Sequence, residues 1–136
     1  MKWYLTVLRN YAGFAGRAHR REYWMFFLFN FLFSSLAITL DVNIGTSFSF
    51  PTGYEGLDLT YGYIQIAYSV LLFIPSLAVA VRRLHDVGKS GWMILVALIP
   101  VAGIIWLLIL LVRQSDPGEN KYGPNPHEMS DTGVLV

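Results

Sequence analysis

Eleven residues, Arg82-Arg83-Leu84-His85-Asp86-Val87-Gly88-Lys89-Ser90-Gly91-Trp92, hold the densest run of charge in this chain, between apolar segments at Tyr63 to Val81 and Trp92 to Val112. So short a polar stretch between two such runs is a poor loop for a soluble core. It reads as a tight turn at a membrane surface. A further apolar run, Tyr23 to Leu40, comes earlier in the chain. Each run approaches the ~20 residues that a helix needs to cross a bilayer core.

The composition agrees. Of the 136 residues 54% are hydrophobic and 14% charged, with a mean hydropathy of +0.47, too apolar for an ordinary soluble domain. With no cysteine, disulfide and thiolate chemistry are excluded. The length suggests a single domain over residues 1–136. No cleavable signal peptide is expected, since twenty-odd Arg-rich residues precede the first apolar run.

Residues 2–12 fit an amphipathic helix, with Trp3, Tyr4, Val7, Leu8 and Tyr11 on one face and Lys2, Thr6 and Arg9 opposite. Such a helix suits the headgroup region; packing against the rest of the protein is the alternative. Gly13 and Gly16 end it. The first membrane segment, residues 23–40, is anchored by Tyr23 and Trp24 and carries a polar face at Asn30 and Ser34. Asp41 to Tyr61 has three acids, Asp41, Glu55 and Asp58, and no base, and is expected as an external loop with a short hairpin near Pro51 to Tyr54. The second segment, residues 63–81, has a stripe of Gln65, Ser69 and Ser76 and a kink expected at Pro75. Its helix should run on through Asp86 and stop at Gly88, with Ser90 capping the third segment, residues 92–112. Pro100 and Gly103 lie near the middle of that segment. The tail, residues 113–136, is too rich in Pro and Gly for a helix, and disorder is expected beyond His127. The fold class is therefore an all-α membrane protein with three hydrophobic helical segments and an interfacial N-terminal helix.

Charge orients it. Five basic residues (Lys2, Arg9, Arg17, Arg20, Arg21) precede the first segment and three (Arg82, Arg83, Lys89) sit in the second loop. The first loop has none, and the tail has Arg113 and Lys121. The positive-inside rule then places the N-terminus and the Arg82–Trp92 turn in the cytoplasm. Three full spans would leave the tail outside; a third segment folded back at Pro100 and Gly103 would return it to the cytoplasm.

Two charged belts thus share one membrane face. Glu22 and Asp86 are expected to pair with arginines across them in a structural ion network of Arg21, Glu22, Arg82, His85 and Asp86, because charges near lipid are costly unless paired. The surplus of base suggests a site for anionic headgroups, with Arg17, Arg20 and Arg83 as donors and Ser90 as helper. His85 and Asp86 are neighbours pointing about 100° apart, a poor geometry for an acid–base dyad, so no catalytic residue is assigned. The three histidines, His19, His85 and His127, lack ligand spacing, so no metal or other cofactor is expected. Gly88-Lys89-Ser90 resembles the end of a phosphate-binding loop, but Arg83 stands where that loop needs its first glycine. Nucleic acid is set aside, since the basic residues lie at headgroup depth.

Three motifs together, Gly16-Arg17-x-x-Arg20-x-Glu22-Tyr23-Trp24, Arg82-Arg83-Leu84-His85-Asp86-x-Gly88-x-Ser90-Gly91-Trp92 and Asn120-x-Tyr122-Gly123-Pro124-x-Pro126, resemble the domain-of-unknown-function 805 family. The resemblance spans nearly the whole chain, although the first loop is longer than expected. It implies an integral protein of the bacterial inner membrane and names no substrate. The expected function is a non-enzymatic module binding anionic lipid headgroups, or a partner protein, through the cytoplasmic cluster. Rivals are a small transporter or channel subunit acting as a homo-oligomer through Asn30, Gln65 and the Pro75 and Pro100 kinks, and a membrane enzyme acting on lipid phosphate.

Overall fold

The computed structural model describes residues 2–54 and 57–126; the disorder expected beyond His127 concerns residues outside that range. The elements in order are α1 (Lys2–Arg9), α2 (Arg20–Ile44), β1 (Ser47–Pro51), β2 (Asp58–Gly62), α3 (Tyr63–Asp86), a 3-10 helix (Gly91–Leu98) and α4 (Ala102–Val112). The chain forms two compact units, Met1–Phe26 with Pro75–Val136, and Phe27–Ile74.

Helices α2 and α3 have 25 and 24 residues, about 38 and 36 Å at 1.5 Å per residue and longer than the ~30 Å of a bilayer core. Both are long and apolar enough to cross a membrane. Pro75 sits buried inside α3, which is unbroken on either side of it.

The third segment is not one helix. Its two pieces have 8 and 11 residues, about 16 Å each, too short to cross singly. Between them Ala102 N–H donates to the Pro100 carbonyl at 2.8 Å around Val101, whose φ is 64°. That is a γ-turn in the form that strains a β-branched residue. A Cβ on Gly103 would collide with the Val96 carbonyl oxygen, so glycine lets the two pieces close on each other. Of the two alternatives for the third segment, the structure therefore shows the one folded back at Pro100 and Gly103, and not one continuous helix. The inner side of the folded segment packs on the end of α3, where Leu84, Val87 and Leu110 form a core flanked by Met93, Ile94 and Leu107.

Helix α1 is shorter than the expected residues 2–12 and lays its apolar side on protein. Val7 is fully buried, Tyr4 stacks on Phe26 at 5.3 Å between ring centroids, and the Trp3 and His19 rings are 5.9 Å apart.

In the other unit the all-α expectation is corrected by a two-stranded antiparallel sheet, β1 with β2, in the register Ser47↔Gly62 to Pro51↔Asp58. Alternation explains it. Phe48 pairs with Tyr61 and Phe50 with Leu59 on one face, while the Ser49 and Thr60 hydroxyls meet at 3.0 Å on the other. The turn lies between Pro51 and Asp58, so the hairpin is far larger than the one expected at Pro51 to Tyr54.

Asp41, expected in the loop, instead lies in the last turn of α2 and is fully buried. Its carboxylate accepts the Thr46 hydroxyl at 2.6 Å and the N–H groups of Ile64 and Gln65 at 3.0 and 2.9 Å. It thus caps the first turn of α3 from a neighbouring helix, satisfying donors that a helix start leaves open. A Cβ at Gly62 would occupy the space of that carboxylate.

Candidate functional site: an arginine knot

The charged belts converge within one unit. Helix α3 ends in a Schellman motif, with Lys89 N–H on the Leu84 carbonyl at 2.9 Å, Gly88 N–H on that of His85 at 3.0 Å, and Gly88 at φ 68°. Gly88 therefore ends the helix where the sequence placed its stop. Ser90 caps the 3-10 helix, its hydroxyl accepting Trp92 N–H at 3.4 Å.

At the centre is Asp86, fully buried. Arg17 Nε lies 3.0 Å from its Oδ1, and Arg83 Nη1 and the Ser115 hydroxyl both donate to its Oδ2. Its backbone carbonyl accepts Asp116 N–H at 3.0 Å. The Arg17 side chain is 1% exposed and spends the rest of its fork on carbonyls: Gly118 at 2.7 Å, Gly123 at 3.3 Å, Asp116 at 2.6 Å and Asp86 at 3.3 Å. Arg83, fully buried, donates to the Leu111 carbonyl at 3.1 Å and to that of Arg113. It thereby satisfies carbonyls left open at the end of α4.

A second pair lies beside this centre. Arg82 Nη1 meets Glu22 Oε1 at 2.9 Å, both side chains less than a tenth exposed. The Arg82 carbonyl accepts Ala18 N–H at 3.0 Å. His19 prepares the start of α2, its Nδ1 accepting Arg21 N–H at 3.2 Å.

The tail closes over the knot. Asn120 and Gly123 exchange backbone hydrogen bonds in a tight turn, and the Asn120 side chain donates to the His85 carbonyl at 3.0 Å. Tyr122 stacks on the His85 imidazole at 3.8 Å, nearly parallel, and Lys121 Nζ lies over the Tyr122 ring at 4.9 Å from its centroid. His85 Nδ1 lies 3.2 Å from the Gly16 carbonyl. Residues 116–123 thus share a face with the Arg82–Trp92 turn, and the broken third segment is what brings them back. This placement agrees with the alternative of a third segment folded back at Pro100 and Gly103.

Two expected headgroup donors are reassigned. Arg17 and Arg83 direct their donors at protein acceptors, because backbone carbonyls from the tail and α4 reach them first. Ser90 likewise spends its hydroxyl on a cap. Arg20 is exposed as a donor should be. Arg21, expected inside the network, is exposed and has no carboxylate partner among the described residues. The tail carbonyls were the part that sequence reasoning missed. Asn120-x-Tyr122-Gly123 was a usable signal, since Asn and Gly at that spacing form a turn with outward carbonyls. Asn30 Oδ1 and Gln65 Oε1 belong to the other unit, where both are buried without a hydrogen-bond partner among the described residues.

Two apolar helices of membrane-crossing length and a buried knot of three arginines on two carboxylates mark a helical protein built to suit a membrane. The chain belongs to the family described as Protein of unknown function (DUF805), whose model matches residues 11–124. It is 43% identical over 126 residues to "Inner membrane protein YhaH" of Escherichia coli (strain K12), covering 93% of this chain and 97% of that protein. To "Inner membrane protein YhaI" of the same strain it is 37% identical over 126 residues, covering 93% and 96%. No solved structure matches.

Proposed function

We propose that this protein is a non-enzymatic module of the bacterial inner membrane that holds anionic lipid headgroups at its cytoplasmic face. Helices α2 and α3 cross the bilayer, and the N-terminus, the Arg82–Trp92 turn and the tail share the cytoplasmic side, following the positive-inside rule. One observation carries the reading. The knot consumes Glu22 and Asp86, the acids of both belts, while Arg20, Arg21 and Arg113 stay exposed in the same unit without a carboxylate partner among the described residues. Exposed cations at headgroup depth attract anionic lipid by about 1 kcal/mol each. His85 supports a non-catalytic role, since among the described residues its ring meets a carbonyl and an aromatic face rather than an acid or nucleophile.

The test is native mass spectrometry of detergent-purified protein at two ionic strengths, wild type against Arg20→Gln/Arg21→Gln/Arg113→Gln. Phosphatidylglycerol or cardiolipin retention should fall in the variant, and fall with salt in the wild type. Equal retention by both proteins without salt dependence refutes the reading.

A further inference from the structure

The knot does not balance its own charge. Three buried guanidinium groups, Arg17, Arg82 and Arg83, face two buried carboxylates, Glu22 and Asp86. Arg83 also feels the partly exposed Asp116 and the exposed Arg20, which act on it with opposite sign. One positive charge remains, and a buried charge without a counter-ion is costly.

The surplus has a definite address. Arg17 and Arg83 have every nitrogen on an acceptor, but Arg82 uses only Nη1, on Glu22. Its Nε and Nη2 are buried and have no hydrogen-bond partner among the described residues, although the residue is only 5% exposed. These two nitrogens form one edge of the guanidinium, the side-on edge whose parallel N–H groups match two oxygens of a phosphate or carboxylate. Chance burial would leave scattered donors. Here a whole recognition edge is buried and left without a partner among the described residues.

Arg82 also lines a cavity of about 260 Å³, with Ala15, Gly16, Tyr122 and Gly123 among its walls. Glycines keep it open: at Gly16 and Gly123 nothing stands within 4 Å of where a Cβ would sit, and their φ of 84° and 126° disfavours other residues. The space suits a small tetrahedral oxyanion and not a nucleotide or a folded partner.

We propose that this cavity binds one phosphate group, held side-on by Nε and Nη2 of Arg82 when that guanidinium edge turns toward the cavity, and closed by the Asn120–Gly123 turn. The group is either inorganic phosphate or the phosphate of a lipid headgroup entering from the membrane surface. The inference does not depend on the exposed arginines of the lipid-surface reading, since none of them lines this cavity.

The test titrates purified full-length protein in neutral detergent with inorganic phosphate, and separately with phosphatidylglycerol, at fixed ionic strength, following thermal stability and phosphorus NMR. Wild type should bind one equivalent saturably in at least one arm. Binding of inorganic phosphate identifies the free ion as a ligand; binding of phosphatidylglycerol alone identifies the headgroup. Arg82→Lys keeps a charge for Glu22 but loses the fork, and should weaken binding about tenfold to a hundredfold. Should that variant fail to fold, Ala15→Phe decides, because it fills the cavity from an exposed position and should abolish binding without touching the knot. Arg20→Gln/Arg21→Gln/Arg113→Gln should retain it, which separates this proposal from the lipid-surface reading. No saturable binding in either arm, or binding that survives Ala15→Phe, overturns the proposal.

Discussion

Arg17 and Asp86, 69 positions apart in the chain, meet at 3.0 Å with their side chains withdrawn from solvent. The pair ties the segment before α2 to the end of α3. Through the remaining Arg17 donors it also ties down the tail at Asp116, Gly118 and Gly123.

Asp86→Asn should therefore be strongly destabilising. It leaves Arg17 and Arg83 facing an amide in a buried site, a loss on the order of 3–5 kcal/mol. Combining it with Arg17→Gln should cost less than the two single changes together, with a coupling of about 0.5–3 kcal/mol. Thermal unfolding of the four proteins in detergent measures this cycle. Strict additivity would mean that the pair contributes no direct interaction.

Residues 116–123 and the Arg82–Trp92 turn should lie on the same side of the membrane, because Asp116 N–H binds the Asp86 carbonyl. The chain has no cysteine, so single cysteines at Lys89 and Glu119 report cleanly. An impermeant thiol reagent should spare both in intact cells and reach both after permeabilisation. Labelling on opposite sides would restore a third full span.

Gly62→Ala should lower stability by about 1–3 kcal/mol, the usual cost of forcing atoms into filled space. The added methyl would displace the Asp41 carboxylate and uncap α3. Amide hydrogen exchange at Ile64 and Gln65 should accelerate, while the Lys89 amide in the other unit keeps its protection. Unchanged exchange at Ile64 and Gln65 would show that Asp41 is not the cap.

The long apolar helices, the stop at Gly88 and the cap at Ser90 were legible in the residues, because length, hydropathy and capping chemistry are local properties that a bilayer or a helix end imposes on any chain. The pairing of Glu22 and Asp86 with arginines of the opposite belt followed from the cost of burying bare charge, though not the choice of arginine. The hairpin was less visible: the Phe48 and Phe50 alternation is short, and Gly, Ser and Thr around it read as loop. What only the three-dimensional arrangement decided is who reaches each donor first. Arg17 and Arg83 look as free in the sequence as Arg20 and Arg21 do. The γ-turn at Val101 folds the last apolar segment back, and that return delivers the carbonyls of Leu111, Arg113, Asp116 and Gly118 to two of these arginines. Hydrogen-bond acceptors on a backbone carry no signature of their own, so their partners are settled by tertiary distance alone.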